Sequence, residues 1–166
     1  MNETSNWVDD LDNTIAINTA TADGRLQAAL ASSRNIFAQI PGYWIRLVAA
    51  SKEVTRKLGT KPNLHVYASA SDNSQPNFEY RMRVQVNLIA HRSEIAYTDI
   101  NLLVGQSSMR CHTLHGDAYK LHFGERRVDG FVGLFSEENP LLIMTPEEAA
   151  RYIIKPMVEQ LREYLP

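Results

Sequence analysis

Cysteine is nearly absent from this chain, with Cys111 the only one among 166 residues. A single cysteine cannot form an intramolecular disulfide, and zinc or iron–sulfur sites built from thiolates need several. The sequence also lacks a Gly-rich phosphate loop, so we predict neither a cofactor nor a metal site. Sparse cysteine and a polar, acidic N-terminus without the pattern of a secretory signal favour a cytoplasmic protein.

Long apolar runs and a dominant charge are also missing. No uninterrupted apolar stretch approaches the roughly 18 residues that a membrane-spanning helix needs, so we expect no membrane contact. Lys and Arg number 17, Asp and Glu number 19, and the net charge is -2. This balance does not favour nucleic-acid binding over the whole chain. No nucleophile elbow and no paired carboxylates along a helix occur, so no motif assigns the chain to a family or a reaction.

The composition is that of one globular domain, with 44% hydrophobic residues and only 8 Gly and 7 Pro. Residues 1–13 contain four acidic side chains and no basic one. We predict that they form a mobile acidic arm before a single domain of residues 14–166. The β-branched residues within 13–20 form either a short strand or the end of that arm.

Two helices are predicted near the N-terminus, because apolar residues recur there at spacings of three and four. The first covers about 24–40 and the second about 42–58, with Pro41 and Gly42 as the interruption. The stripe predicted to be buried on the first helix consists of Leu26, Ala29, Leu30, Ser33, Phe37 and Ile40.

From residue 62 to 144 the apolar residues alternate with polar ones, which predicts an antiparallel meander of about six strands. Matching the apolar faces of two of these strands pairs Val86 with Ile100. A long C-terminal helix then begins at Thr145, which can form a capping box with Glu148. The order predicts an α+β domain with the helix packed on one face of the sheet. This order is similar to the helix-grip topology, in which a curved antiparallel sheet wraps a long C-terminal helix, especially if residues 13–20 form a first strand.

The densest set of reactive side chains surrounds Gly116 and includes the only Cys and three of the five His. A two-residue turn of Gly116 and Asp117 predicts that Cys111 lies opposite His122. If the preceding loop has an odd length, Asn101 lies beside Cys111, and a nucleophilic thiol site with a base results. A four-residue loop would instead turn Cys111 toward the core.

Two further sets of residues are candidates for binding. Polar outward side chains on two strands form a flat surface that suits a protein partner. With Tyr97 as its only aromatic residue, this surface is a poor platform for single-stranded nucleic acid. Trp7 is a candidate anchor in the acidic arm. The surface residues are Arg81, Arg83, Gln85, Asn87, Tyr97 and Asp99, and the candidate lining of a cavity under the C-terminal helix is Met82, Phe131, Phe135, Met144, Tyr152 and Met157.

Three functions are compatible with these features. The first is a small non-catalytic binding or adaptor protein that contacts a macromolecular partner. We expect this partner to be another protein, and the sequence is also compatible with a homodimer. The second is a carrier or sensor of a small apolar ligand held between the sheet and the C-terminal helix. The third is an enzyme with Cys111 as nucleophile and His122 as base. The lack of a catalytic motif favours the first.

Overall fold

The computed structural model describes residues 6–60, 64–70, 77–88 and 93–161. Helix α1 (Asn6–Leu58) comes first, seven strands follow, and helix α2 (Pro146–Leu161) comes last. By its internal contacts the chain divides into two compact units, Met1–Asn35 and Ile36–Pro166. The strands are β1 (Leu64–Ala70), β2 (Glu79–Leu88), β3 (Ser93–Leu103), β4 (Ser108–Thr113), β5 (Ala118–Glu125), β6 (Val132–Ser136) and β7 (Asn139–Met144).

The α+β class is confirmed, but one long helix stands where two were predicted. Pro41 lies inside α1 and does not end it. A proline in a helix removes one backbone hydrogen bond, which weakens the helix without necessarily breaking it. Ile40, Tyr43 and Trp44 on either side are all buried, and this packing offsets the lost bond.

A strand at residues 13–20 is wrong, because α1 covers this segment. Leu11, Ile15, Ala22 and Leu26 recur at helical spacings, and this period prevails over the β-branched residues between them. This segment therefore does not supply the additional first strand that would have strengthened the likeness to the helix-grip topology. The predicted arm boundary at residue 13 also lies within α1, and residues 1–5 of the arm are outside the described residues.

Within the described residues the sheet has seven strands rather than about six, and each is antiparallel to its sequence neighbours in the order β1 to β7. Alternate residues of β2, such as Val84 and Val86, are buried as predicted. The pairing of Val86 with Ile100 is wrong, because Val86 lies opposite Ala96. The observed partner, Ala96, lies four residues before the predicted partner, Ile100. Because this shift in register is an even number of residues, every side chain stays on its predicted face of the sheet.

Both helices of the second unit pack on the apolar face of the sheet. Trp44 of α1 contacts Tyr80 with ring centroids 5.3 Å apart, and Tyr43 meets Phe123 edge to face at 5.2 Å. The capping box of α2 is present, since the Thr145 N–H donates to Glu148 Oε2 at 2.8 Å and the Glu148 N–H donates to Thr145 Oγ1 at 3.2 Å. The opposite face of the sheet carries polar side chains.

Candidate binding surfaces

The turn after β4 decides which side chains accompany Cys111. Gly116 has φ +83° and is the last residue of a three-residue loop, as in a hairpin with a G1 bulge. The Thr113 N–H donates to the Asp117 carbonyl at 2.9 Å, and Cys111 pairs with Tyr119. The predicted two-residue turn is wrong, and the odd shift of three residues moves the strand partners to the opposite face.

Cys111, His122 and Asn101 are consequently not brought together. Cys111 is fully buried opposite Ile100, and burial raises the pKa of its thiol to about 12. His122 lies on the polar face, where its ring nitrogens are hydrogen-bonded to Ser108 Oγ and Glu137 Oε1, each at 2.9 Å. Asn101 lies opposite Arg110 on the polar face. A protonated, enclosed thiol without a neighbouring base is inert as a nucleophile.

The polar face does bring several of its predicted residues together. Arg83 donates to both carboxylate oxygens of Asp99, at 2.6 and 2.7 Å, and its guanidinium lies 4.4 Å from the ring centroid of Tyr97. The Gln85 amide donates to Asn87 at 2.9 Å, and Arg81 pairs with Glu79 on the same strand. These groups bind one another, so much of their capacity to bind a partner is already used.

The same face has features that the sequence analysis missed. Tyr67 of β1 and Phe135 of β6 also lie on it, beside His65 and His122 respectively. The alternation of Leu64 and Val66 with His65 and Tyr67 was a sequence signal for the face of Tyr67, whereas the short strand β6 offers no such alternation for Phe135. A shallow depression of about 450 Å³ extends along this face. Its lining includes Ser69, Arg81, Arg83, Asp99 and Asn101.

The predicted cavity lining is dispersed over the second unit. Met82 and Met157 are buried in the core, and Phe135 faces the polar side of the sheet. Phe131 lines a separate depression of about 250 Å³ beside Tyr43.

An open apolar groove of about 500 Å³ contains the two remaining members of that set, Met144 and Tyr152. It lies where the end of α1, strand β7 and helix α2 meet, and Glu148, Arg151 and Lys155 contribute to its lining. The other apolar groups in it include Val54, Leu58, Leu142 and Val158. The α1 residues were missed because the path of that helix past β7 depends on tertiary packing.

The apolar stripe of α1 is the largest departure from the sequence expectation. Leu26 and Leu30 were predicted to be buried, but their side chains are 58% and 43% exposed. Nearer the N-terminus on the same helix face, Leu11 and Ile15 are 49% and 56% exposed. Every residue from 14 to 31 is exposed. We call Leu11, Ile15, Leu26 and Leu30 the α1 stripe. The Trp7 side chain is outside the described part of the structure.

The α1 stripe consists of two pairs of large apolar side chains, and the helix face between the pairs carries smaller side chains. Each pair has a spacing of four residues, which places its two members on one helix face. Thr19 and Ala22 lie on the same face between the pairs. The stripe thus offers two apolar patches separated by side chains that leave room for close approach.

Comparisons with known proteins assign no family: no protein-family model matches the chain, and no curated protein matches it significantly. Of the helices in the described ranges, none combines the length and the apolar character needed to span a membrane. Within those ranges, no three His, Cys, Asp or Glu side chains are grouped so that they could hold a metal ion.

Proposed function

We propose that the protein is a non-catalytic binding protein that contacts a helix of its partner through the α1 stripe. The observation that carries this proposal is the exposure of four Leu and Ile side chains on one face of a helix. Exposed Leu and Ile side chains grouped on one helix face are typical of protein–protein contact sites. An amphipathic helix is the partner whose own apolar face has the matching period.

Burial of the α1 stripe against a partner would also stabilise the helix. Helical segments without tertiary contacts are marginally stable in water, and most helical stability in proteins comes from packing of an apolar face. Full burial of a Leu or Ile side chain contributes about 1.5–3 kcal/mol. Each member of the α1 stripe is about half exposed. Covering all four would contribute roughly 3–6 kcal/mol before the entropy cost of association.

Thiol labelling tests this proposal directly, because Cys111 is fully buried and the chain has no other cysteine. Leu26→Cys introduces a thiol on the α1 stripe, and Ala28→Cys is the matched control on the other side of the helix. Both variants are labelled with a maleimide in fresh extract of the cells that make the protein and after purification, over a range of concentrations.

We expect labelling at residue 26 to be at least about tenfold slower in extract or in concentrated purified protein than in dilute purified protein. The labelling rate at residue 28 should be the same in all of these samples. A tenfold effect corresponds to occupancy of about nine-tenths of the molecules. Equal rates at both residues under every condition would contradict the proposal.

A second candidate function is the binding of a small apolar ligand in the groove between α1, β7 and α2. Its support is the apolar lining and the volume of about 500 Å³, which is in the range of small-molecule sites. The probe is the dye 1-anilinonaphthalene-8-sulfonate, and Val158→Trp fills the groove. We expect this variant to lose dye fluorescence and Leu26→Asp to keep it. Unchanged fluorescence in a folded Val158→Trp protein would remove this candidate.

A cysteine enzyme has no support from the geometry. Cys111 and His122 lie on opposite faces of the sheet, so the imidazole cannot accept the proton of the thiol.

A further inference from the structure

We infer that the partner of the α1 stripe is the same stripe of a second copy of this chain, with the two helices antiparallel. This inference rests on the proposed function and specifies its partner. Three features of the first unit support it: the symmetric spacing of the apolar pairs, the small centre between them, and the distribution of charge along the helix.

In one antiparallel arrangement every apolar residue of the stripe faces an apolar residue of the second copy. In this arrangement the numbers of any two facing residues add up to 41. Leu11 then lies opposite Leu30 of the second copy, and Ile15 lies opposite Leu26. Two-fold symmetry repeats both contacts, so all eight stripe side chains of the two copies are covered. One relative position of the helices therefore satisfies the whole stripe.

The centre of this arrangement has small side chains. Thr19 lies opposite Ala22 of the second copy, on either side of the two-fold axis. Small residues at a helix crossing allow the helix axes to approach to the short end of the usual 8–10 Å range. The leucines and isoleucines at both ends can then interlock.

The charges distinguish the antiparallel arrangement from a parallel one. Residues 6–17 contain three acidic residues and no basic one, whereas residues 24–35 contain Arg25 and Arg34 and no acidic residue. Antiparallel helices place each acidic segment beside a basic one, with Arg34 about two residues from the level of Asp9 of the second copy. Parallel helices in register would place the three acidic residues of each copy side by side. Exposed charge pairs contribute little free energy but set orientation.

Sedimentation velocity of the purified full chain, from about 1 to 100 µM, is the first test. We expect a concentration-dependent dimer for the unmodified chain. Leu26→Asp places a charge in the stripe and should raise the dissociation constant at least about 100-fold. Ala28→Asp adds the same charge outside the stripe and should change it less than about threefold. A monomer at every concentration would overturn the inference.

Spin labels on Ala20→Cys and Ala31→Cys test the orientation, since both positions lie away from the stripe and are exposed. In the antiparallel dimer the two copies of residue 20 are at nearly the same level. The two copies of residue 31 are about 21 residues apart, or about 32 Å along the helix axis. We expect a distinctly longer distance for residue 31. Equal short distances at both positions would show a parallel dimer and overturn the inference.

The two proposals fail differently. If residue 26 is protected from the maleimide in extract but the purified chain is monomeric, the partner is another protein, and only the second copy is ruled out. If residue 26 is never protected, both proposals are contradicted.

Discussion

Cys111 should make the fold less stable in alkaline solution. Its side chain is fully buried, and burial raises the pKa of the thiol to about 12 from an ordinary value of 9.0. The neighbouring Tyr119 side chain opposes this shift in part. The folded protein therefore keeps the thiol proton at pH values at which the unfolded chain has lost it.

The sign of the effect follows from proton counting. Between about pH 9 and pH 12 the unfolded chain binds fewer protons than the folded protein, so the free energy of unfolding falls as pH rises. One pKa unit corresponds to about 1.4 kcal/mol. The loss from this single group is about 1.4 kcal/mol at pH 10 and about 2.7 kcal/mol at pH 11, and it is negligible below about pH 8.

Urea unfolding at pH 7.5 and pH 10 provides the assay, with Cys111→Ala as the comparison. Burial also raises the pKa values of Tyr43 and Tyr119, and this burial is present in both proteins and cancels in the comparison. The part of the Tyr119 shift that Cys111 itself causes is lost in Cys111→Ala and adds to the difference in the same direction. We expect the unmodified protein to lose about 1.4 kcal/mol more than Cys111→Ala between the two pH values. Equal losses would show that the thiol ionises normally in the folded state and would refute the reasoning.

Four substitutions test the packing and the helices, each measured by urea unfolding of the full chain. Gly133→Ala would place a methyl carbon 2.3 Å from the Met144 carbonyl oxygen, and we expect a loss of about 3 kcal/mol, whereas Gly42→Ala meets nothing within 4 Å and should add about 0.5–1 kcal/mol. A Gly133→Ala protein of unchanged stability would contradict the close contact of β6 and β7. Thr145→Ala removes the acceptor of the Glu148 N–H and should cost about 1 kcal/mol, and no loss would mean that the cap is dispensable. Pro41→Ala restores a backbone donor in α1 and should stabilise the protein by up to about 3 kcal/mol, and a loss of stability would show that packing of the proline ring outweighs the missing hydrogen bond.

The features that the sequence predicted correctly depend on short-range patterns. Alternation in β2 assigns Val84 and Val86 to the core without knowledge of their partners, because a strand has only two faces. The capping box at Thr145 involves residues three apart, so the pattern itself contains the contact. For residues 13–20 the sequence left a strand and the end of the arm open, and the segment is helical because a helical apolar period outweighs local β propensity.

The candidate site near Cys111 failed for a geometric reason. Gly116 accepts positive φ at either end of a short turn, and the sequence does not say which end it occupies. An odd error in register moved Cys111 to the wrong face relative to His122. The exposure of the α1 stripe could not be predicted either, because a helical period identifies the apolar face but does not show whether anything in the same chain covers it.

The neighbour-by-neighbour order of the sheet has a consequence for folding kinetics. Every strand pairs with the strands next to it in sequence, so each hairpin closes only a short loop and the entropic barrier to forming the sheet is low. The hydrogen bond from Tyr43 to the Met144 carbonyl, 2.9 Å long, instead joins residues 101 positions apart. We expect this contact to form after the rate-limiting step, so that its loss accelerates unfolding and leaves the folding rate nearly unchanged.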